Sequence, residues 1–277
     1  ASADGIQDGT LPIALAGIEG ALGQYEPLQN MRHVTVNVRD FAANAIGDNW
    51  TAAFVAAYAS LPDASLGVTG GGTIIVPPGR YELNEVALTS SKPVSIVKEG
   101  GTSRRMGHYS SYSAGDAVLV GMDSGANSAV FSIKDGGNGY GFQWHSLSFD
   151  LQAGTEAAIH ALNVSGGLVE DCIAVGPSTQ TTEQWMIRGY CDTSPGADAS
   201  WWRVNDNQTN RVALAYVGGY ATYSHNNWGF IGNTVFPGTY VDTCIRLIHC
   251  NRTFTLGNNL EPSAISTQQY GMYLDHC

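Results

Sequence analysis

Acidic side chains crowd one stretch of this 277-residue chain: Glu183, Asp192, Asp198 and Asp206 fall within 24 residues of one another. Two carboxylates placed across a glycosidic bond are what sugar hydrolysis requires. The same region begins a second set. Arg188 and Arg246 could stabilise an enolate-like intermediate, with His160, Tyr190 or Tyr273 carrying the proton, which is the requirement of elimination chemistry. Glu183, Asp192, Asp206, Arg188 and Arg246 are therefore the catalytic candidates, and His160, Tyr190, Trp201 and Tyr273 the candidates for holding substrate. No nucleophile elbow, phosphate-binding loop, dinucleotide fingerprint or metal motif occurs, so the expectation is no cofactor and no metal. Each acid taken singly also fits a surface or loop-capping role.

What must position these groups is a repeat running from about residue 142 to the end. Leu147 and Phe149 are followed by Ile173 and Val175, Trp202 and Val204, Trp228 and Phe230, and Phe254 and Leu256, at steps of 26, 29, 26 and 26 residues. Between them run Ile159, Ile187, Leu214, Ile245 and Met272, at steps of 28, 27, 31 and 27. Strand-like alternation inside a coil-length period predicts a parallel β-solenoid whose coils stack on their neighbours. Outward positions of the second register hold His160, Arg188, Ala215, Arg246 and Tyr273, flanked by Tyr190 and Asp275. Two readings stand: a groove for an anionic polymer gripped by arginine forks, or a solvated face whose charges pair with neighbouring acids. Trp202, Trp228 and Phe254 share one position and predict a core aromatic stack, which turns Trp201 outward as a sugar platform. Asn207, Asn233 and Asn259 predict an asparagine ladder in a turn, in preference to a polar stripe for sugar hydroxyls.

Upstream, residues 1–33 form a leader with a short Ala- and Leu-rich helix over Leu11–Leu22, and residues 34–277 form the β-helix domain. Val34 to Phe41 alternates as a strand, residues 49–58 read as a helix, and residues 70–81 read as a strand, a Pro-Gly turn and the start of a return strand. This order, Val38-Arg-Asp-Phe-Ala, then Asp48-Asn-Trp-Thr-Ala-Ala-Phe, then Gly71-Gly-Thr-Ile-Ile-Val-Pro-Pro-Gly-Arg-Tyr81, resembles the N-terminal signature of the pectate-lyase-like right-handed β-helix superfamily, phage tailspikes and capsule depolymerases included. Asn49-Trp50-Thr51 stands where that family usually has Asp-Asp-Thr. The resemblance implies an all-β, right-handed, single-stranded parallel β-helix with a short N-terminal helical cap. It also implies a homotrimer, extracellular or virion-attached, that binds and depolymerises a surface polysaccharide. A secreted monomeric lyase or glycoside hydrolase and a non-catalytic fibre or adhesin are the alternatives, because one fold hosts many activities.

Composition sets limits. A net charge of −11 and 13% charged residues argue against a general affinity for nucleic acid or anionic membranes. No apolar run is long enough for a bilayer-spanning helix, so no membrane insertion is expected. Long polar insertions at 101–140 (Arg104, Arg105, His108, Tyr109) and 176–200 interrupt the coils, and such loops often carry function. Asn163-Val-Ser and Asn207-Gln-Thr match the glycosylation pattern, as an Asn- and Thr-rich chain does by chance. Cys250 and Cys277, 27 residues apart in equivalent segments, should stack as a buried thiol ladder, a disulfide, or with His249 and His276 a zinc site. A further coil or another chain is expected to cover the last turn of the solenoid.

Overall fold

The computed structural model describes residues 34–63, 70–100, 112, 115–122, 128–134, 141–180, 182–191, 199–219, 225–236, 242–261, 270–275 and 277. The leader 1–33, Asp192, Asp198, His276 and the polar insertion around Arg104–Tyr109 lie outside these residues.

The entry to the solenoid differs from a plain strand. Thr35–Asn37 is extended, but the Asn37 side chain accepts the Arg39 N–H at 2.9 Å, and Val38–Asn44 winds into a 3-10 turn. A short polar side chain that offers the backbone a local acceptor competes with the sheet ladder, and here it wins. The helix α1, Thr51–Ser60, starts where the side-chain Oδ1 of Asn49 accepts the Thr51 N–H at 3.0 Å. It buries Ala53, Phe54, Ala57 and Tyr58, with the Phe54 ring edge-on to Tyr81 and Phe131, both at 6.0 Å. The helix therefore covers the open end of the first coil, whose edge groups would otherwise face water. Gly72–Val76 pairs in parallel with Thr35–Asn37. Past Pro77 and Pro78 the chain does not return alongside it: Gly79–Leu83 belongs to a different sheet. Proline has no N–H to give a ladder, so the pair makes a corner between faces.

Three parallel sheets follow, each strand stacked on its counterpart one coil earlier, so the fold is an all-β parallel β-helix. The first sheet has eight strands, from Thr35–Asn37 to Phe254–Leu256. The second has seven, from Gly79–Leu83 to Asn259–Leu260, and the third seven, from Val86–Leu88 to Tyr270–Asp275. The first repeat seen in the sequence straddles two of these faces. Phe149, Ile173 and Val175 lie in the second sheet, whereas Val204 and Phe230 lie in the first. In the first sheet Val169 stacks under Val204 and Phe230; in the second Phe149 stacks under Ala174, Thr209 and Val235.

The interior carries two columns. Trp144, Trp202 and Trp228 are fully buried and stack face to face, at 6.2 Å and 14°, then 5.4 Å and 10°. The column does not reach Phe254. Register pairs Phe254 with Gly229, not Trp228, so its side chain alternates outward and is 54% exposed. The polar column is an amide ladder: Asn207 bonds to Asn233 and Asn233 to Asn258. Its last member is Asn258 rather than Asn259, whose amide instead reaches Glu261 at 2.9 Å on the surface. Both corrections have one cause, a coil one residue shorter than its 26-residue predecessor. Each ladder residue follows a left-handed one (Asp206, Gly232, Gly257), which aims the next side chain into the turn.

The strands of the third sheet bend. Ala158 and Ile159, Met186 and Ile187, Leu214 and Ala215, and Cys244 and Ile245 are consecutive pairs, all with 0% exposure and all in the main core. Strict alternation fails at these pairs. Ile187 pairs with Ala215 and Arg188 with Tyr216, so the outward strip contains Tyr216 where alternation places Ala215.

Candidate functional site

The bend creates two outward columns on the third sheet. One runs through Ala157, Trp185 and Ala213 and continues with Thr243 and Tyr270; the other is His160, Arg188, Tyr216, Arg246 and Tyr273, each of these five in direct register with the next. Trp185, Thr243 and Tyr270 of the first and Arg188, Tyr216, Arg246 and Tyr273 of the second line a groove made of two adjoining hollows that share Arg246, of about 320 and about 470 Å³. Trp185, only 2% exposed, and Tyr216 form its floor, edge to face at 5.5 Å. The Arg188 guanidinium lies over Tyr216 and that of Arg246 over Trp185, both at 5.6 Å. Cation–π contact of this kind orients a guanidinium as well as holding it.

Carboxylates engage both arginines. Arg188 donates to Glu156, and Arg246 meets Asp242 at 3.0 Å through one nitrogen and Glu183 at 3.6 Å through the other. Glu183 is set in place by the next residue. Gln184 is 1% exposed, and its amide donates to the carbonyls of Gln152 and Thr155 at 2.9 and 2.8 Å. The Trp185 N–H in turn donates to the Glu156 carbonyl at 2.9 Å. A buried amide with two good acceptors is hard to displace. Two carboxyls held by one guanidinium, beside an open hollow, can accept sugar hydroxyls, transfer a proton, or activate a water molecule.

The structure gathers Glu183, Arg188, Arg246 and Tyr273 around this groove. His160 lies one coil below Arg188. Tyr190, 40% exposed, projects two residues beyond Arg188 on the same face. Asp206 is elsewhere. It occupies the left-handed turn between the first and second sheets (φ 53°), and a Cβ on Gly232 would lie 2.3 Å from its carboxyl oxygen. Trp201 is 56% exposed and left-handed (φ 63°), in the turn leading into the first sheet. Neither borders the groove.

Sequence reasoning missed Glu156, Asp242, Trp185 and Tyr216. Glu156 and Asp242 each stand one residue before a third-sheet strand, Ala157–Leu162 and Thr243–Ile248. That shared offset from the Ile159 and Ile245 markers was the available signal. Tyr216 was hidden by the bend, and Trp185 passed for a loop residue.

Cys172, Cys191, Cys244, Cys250 and Cys277 are free thiols. Cys250 and Cys277 do adjoin, the Cys277 sulfur accepting the Cys250 N–H at 3.2 Å. Burial pushes the Cys172 and Cys244 thiols up to about 12, and burial with Cys277 alongside raises Cys250 further still.

No protein-family model matches the chain, and no curated protein does. Among solved structures, ORF18 of Geobacillus virus E2 is similar in fold, with a TM-score of 0.55 and 14% identity over 89% of this chain and 51% of that one. The chain thus spans about half the length of that viral protein. At this identity the likeness concerns the fold alone. Among the described residues no helix is long and apolar enough to cross a membrane.

Proposed function

We propose that this chain is a glycan-recognising β-helix of tailspike type, and that the groove on its third sheet binds and hydrolyses a polysaccharide. The observation that carries the reading is the pair Glu183 and Asp242, held on the two nitrogens of Arg246 above an aromatic floor. Acid–base cleavage of a glycosidic bond needs two positioned carboxyls, and an aromatic floor suits the apolar faces of sugar rings. The run of motifs over residues 34–88, which resembles the pectate-lyase-like superfamily, supports the reading. So does a structural neighbour from a virus, which favours a virion-attached protein over a secreted one. The homotrimer rests on the resemblance alone and is read directly by light scattering.

A polysaccharide panel, assayed for reducing ends and for absorbance near 235 nm together, tests the activity. Reducing ends should appear without the absorbance that marks elimination. Glu183→Gln and Asp242→Asn should each slow release by roughly 10²-fold or more, the usual worth of a general acid or base. Unchanged release in both variants refutes the assignment of these carboxyls, and no release from any glycan refutes the hydrolase.

A further inference from the structure

We infer that the groove selects an uncharged glycan over a polyanionic one. The inference rests on the glycan-binding reading above and specifies its substrate class. An arginine strip by itself suggests the opposite, so the charges have to be counted. Four carboxylates border the two hollows: Glu156, Glu183, Asp242 and Asp275. Two guanidiniums, Arg188 and Arg246, oppose them, so the lining sums to two positive and four negative charges, a net of −2. The chain around it carries −11. The long-range field therefore repels a polyanion before it arrives.

Local contacts agree. Arg246 is engaged by Glu183 and Asp242 together, and Arg188 by Glu156. A uronate or sialate that reached either guanidinium would stand beside a carboxylate already held on it. In the half-buried groove, like charges at such range destabilise each other. A neutral sugar brings no such charge. Its hydroxyls donate to carboxylate oxygens that still have free lone pairs and accept from the outer guanidinium N–H groups. Its ring faces have Tyr216 and the exposed pair Tyr270 and Tyr273, which touch edge to face at 5.7 Å. An uncharged substrate also fits hydrolysis and not elimination, because elimination relies on a uronate carboxyl to acidify the C–H that is lost.

The test is equilibrium binding of the whole chain to two oligosaccharide sets of matched length. One is uncharged, from mannan, galactan and dextran; the other is uronate-bearing, from alginate, polygalacturonate and hyaluronan. Both are measured from about 50 to about 500 mM salt, which takes the screening length from well above to well below 10 Å. The expected result is binding of at least one uncharged glycan, with an affinity little changed by salt and at least tenfold tighter than that of any uronate glycan. Glu183→Gln combined with Asp242→Asn should narrow that gap by weakening the repulsion. Tighter binding of a uronate glycan, falling as salt rises, overturns the charge inference and leaves the glycan groove standing. Absence of binding in both sets overturns the inference and the glycan reading together.

Discussion

Replacing Asn233 by alanine should break the solenoid's stacking at one coil. Asn233 is fully buried and its amide makes four bonds. Its oxygen accepts the backbone N–H and the side-chain amide of Asn207, both at 3.0 Å. Its nitrogen donates to the Val204 carbonyl and to the Asn258 oxygen, both at 2.8 Å. The Asn207 amide keeps a second partner in the Val169 carbonyl at 2.9 Å, so its loss is small. The Asn207 N–H loses its partner inside the coil, whereas the Val204 carbonyl keeps its place in the strand ladder with Gly229–Ile231. A stranded buried polar group costs about 1–3 kcal/mol, so the expected loss is about 2 kcal/mol. Trp202 and Trp228 stack on each other in the same two coils as Asn207 and Asn233, so urea unfolding followed by tryptophan fluorescence reads the loss. The control is Asn259→Ala. That residue occupies the position which strict 26-residue spacing assigns to the ladder, but its side chain is exposed and donates to Glu261 on the surface, so it should cost less than about 0.5 kcal/mol. A loss below about 0.5 kcal/mol at Asn233, or an equal loss at Asn259, would refute the ladder as the structure places it.

Two further perturbations follow from packing and burial. Gly167→Ala puts a methyl 2.3 Å from the Trp202 ring. That ring cannot retreat: it stacks between Trp144 and Trp228, and its N–H donates to the Val164 carbonyl at 2.8 Å. Overpacking of this kind costs about 1–3 kcal/mol, and a variant as stable as the parent in urea would show the contact to be looser than described. Thiol alkylation at pH 8 should label exposed Cys277 quickly and the buried cysteines only after denaturation. A thiol raised to about 12, as for Cys172 and Cys244, is ionised in only ~10⁻⁴ of molecules at that pH, against about a quarter for an ordinary thiol. Two or more fast-labelling cysteines in the folded protein, identified by peptide mapping, would contradict the burial.

The fold was legible because a β-helix repeats its errors as well as its successes. Ile159, Ile187, Ile245 and Met272 do stack, and the period they define suffices for a solenoid even with Leu214 standing one place off. Sheet assignment was not legible, since apolar residues facing one shared core look alike whichever wall they come from. Insertions compounded this. Between Val169 and its first-sheet partner Val204 the coil lengthens to 35 residues, and a single period fitted across it joins the second sheet to the first. Half of the candidate site was visible for the same reason. Arg188, Arg246 and Tyr273 sit at fixed offsets from the markers, whereas Glu156 and Asp242 precede their strands and belong to no alternation. Asp206 was misplaced by reasoning from sequence proximity to the 176–200 insertion, when a coil carries nearby residues around to a different wall.

The same bend that defeated the alternation explains why a groove lies on this wall. With strict alternation the outward residues at positions i and i+2 would repeat as equivalent ridges. Two consecutive inward residues instead set the outward ones three apart, as Trp185 and Arg188 are, and Tyr270 and Tyr273. Side chains from the second column can then fold across the first. Coils are about 4.8 Å apart, so Arg246 must cross roughly 10 Å to stand over Trp185, two coils away. Only Ala213 lies between them in that column, and it is fully covered by Trp185 and Tyr216. A larger residue there would lift the guanidinium off the indole and away from Glu183. The site therefore depends on a small residue whose side chain makes no polar contact, directly above Trp185 in its column.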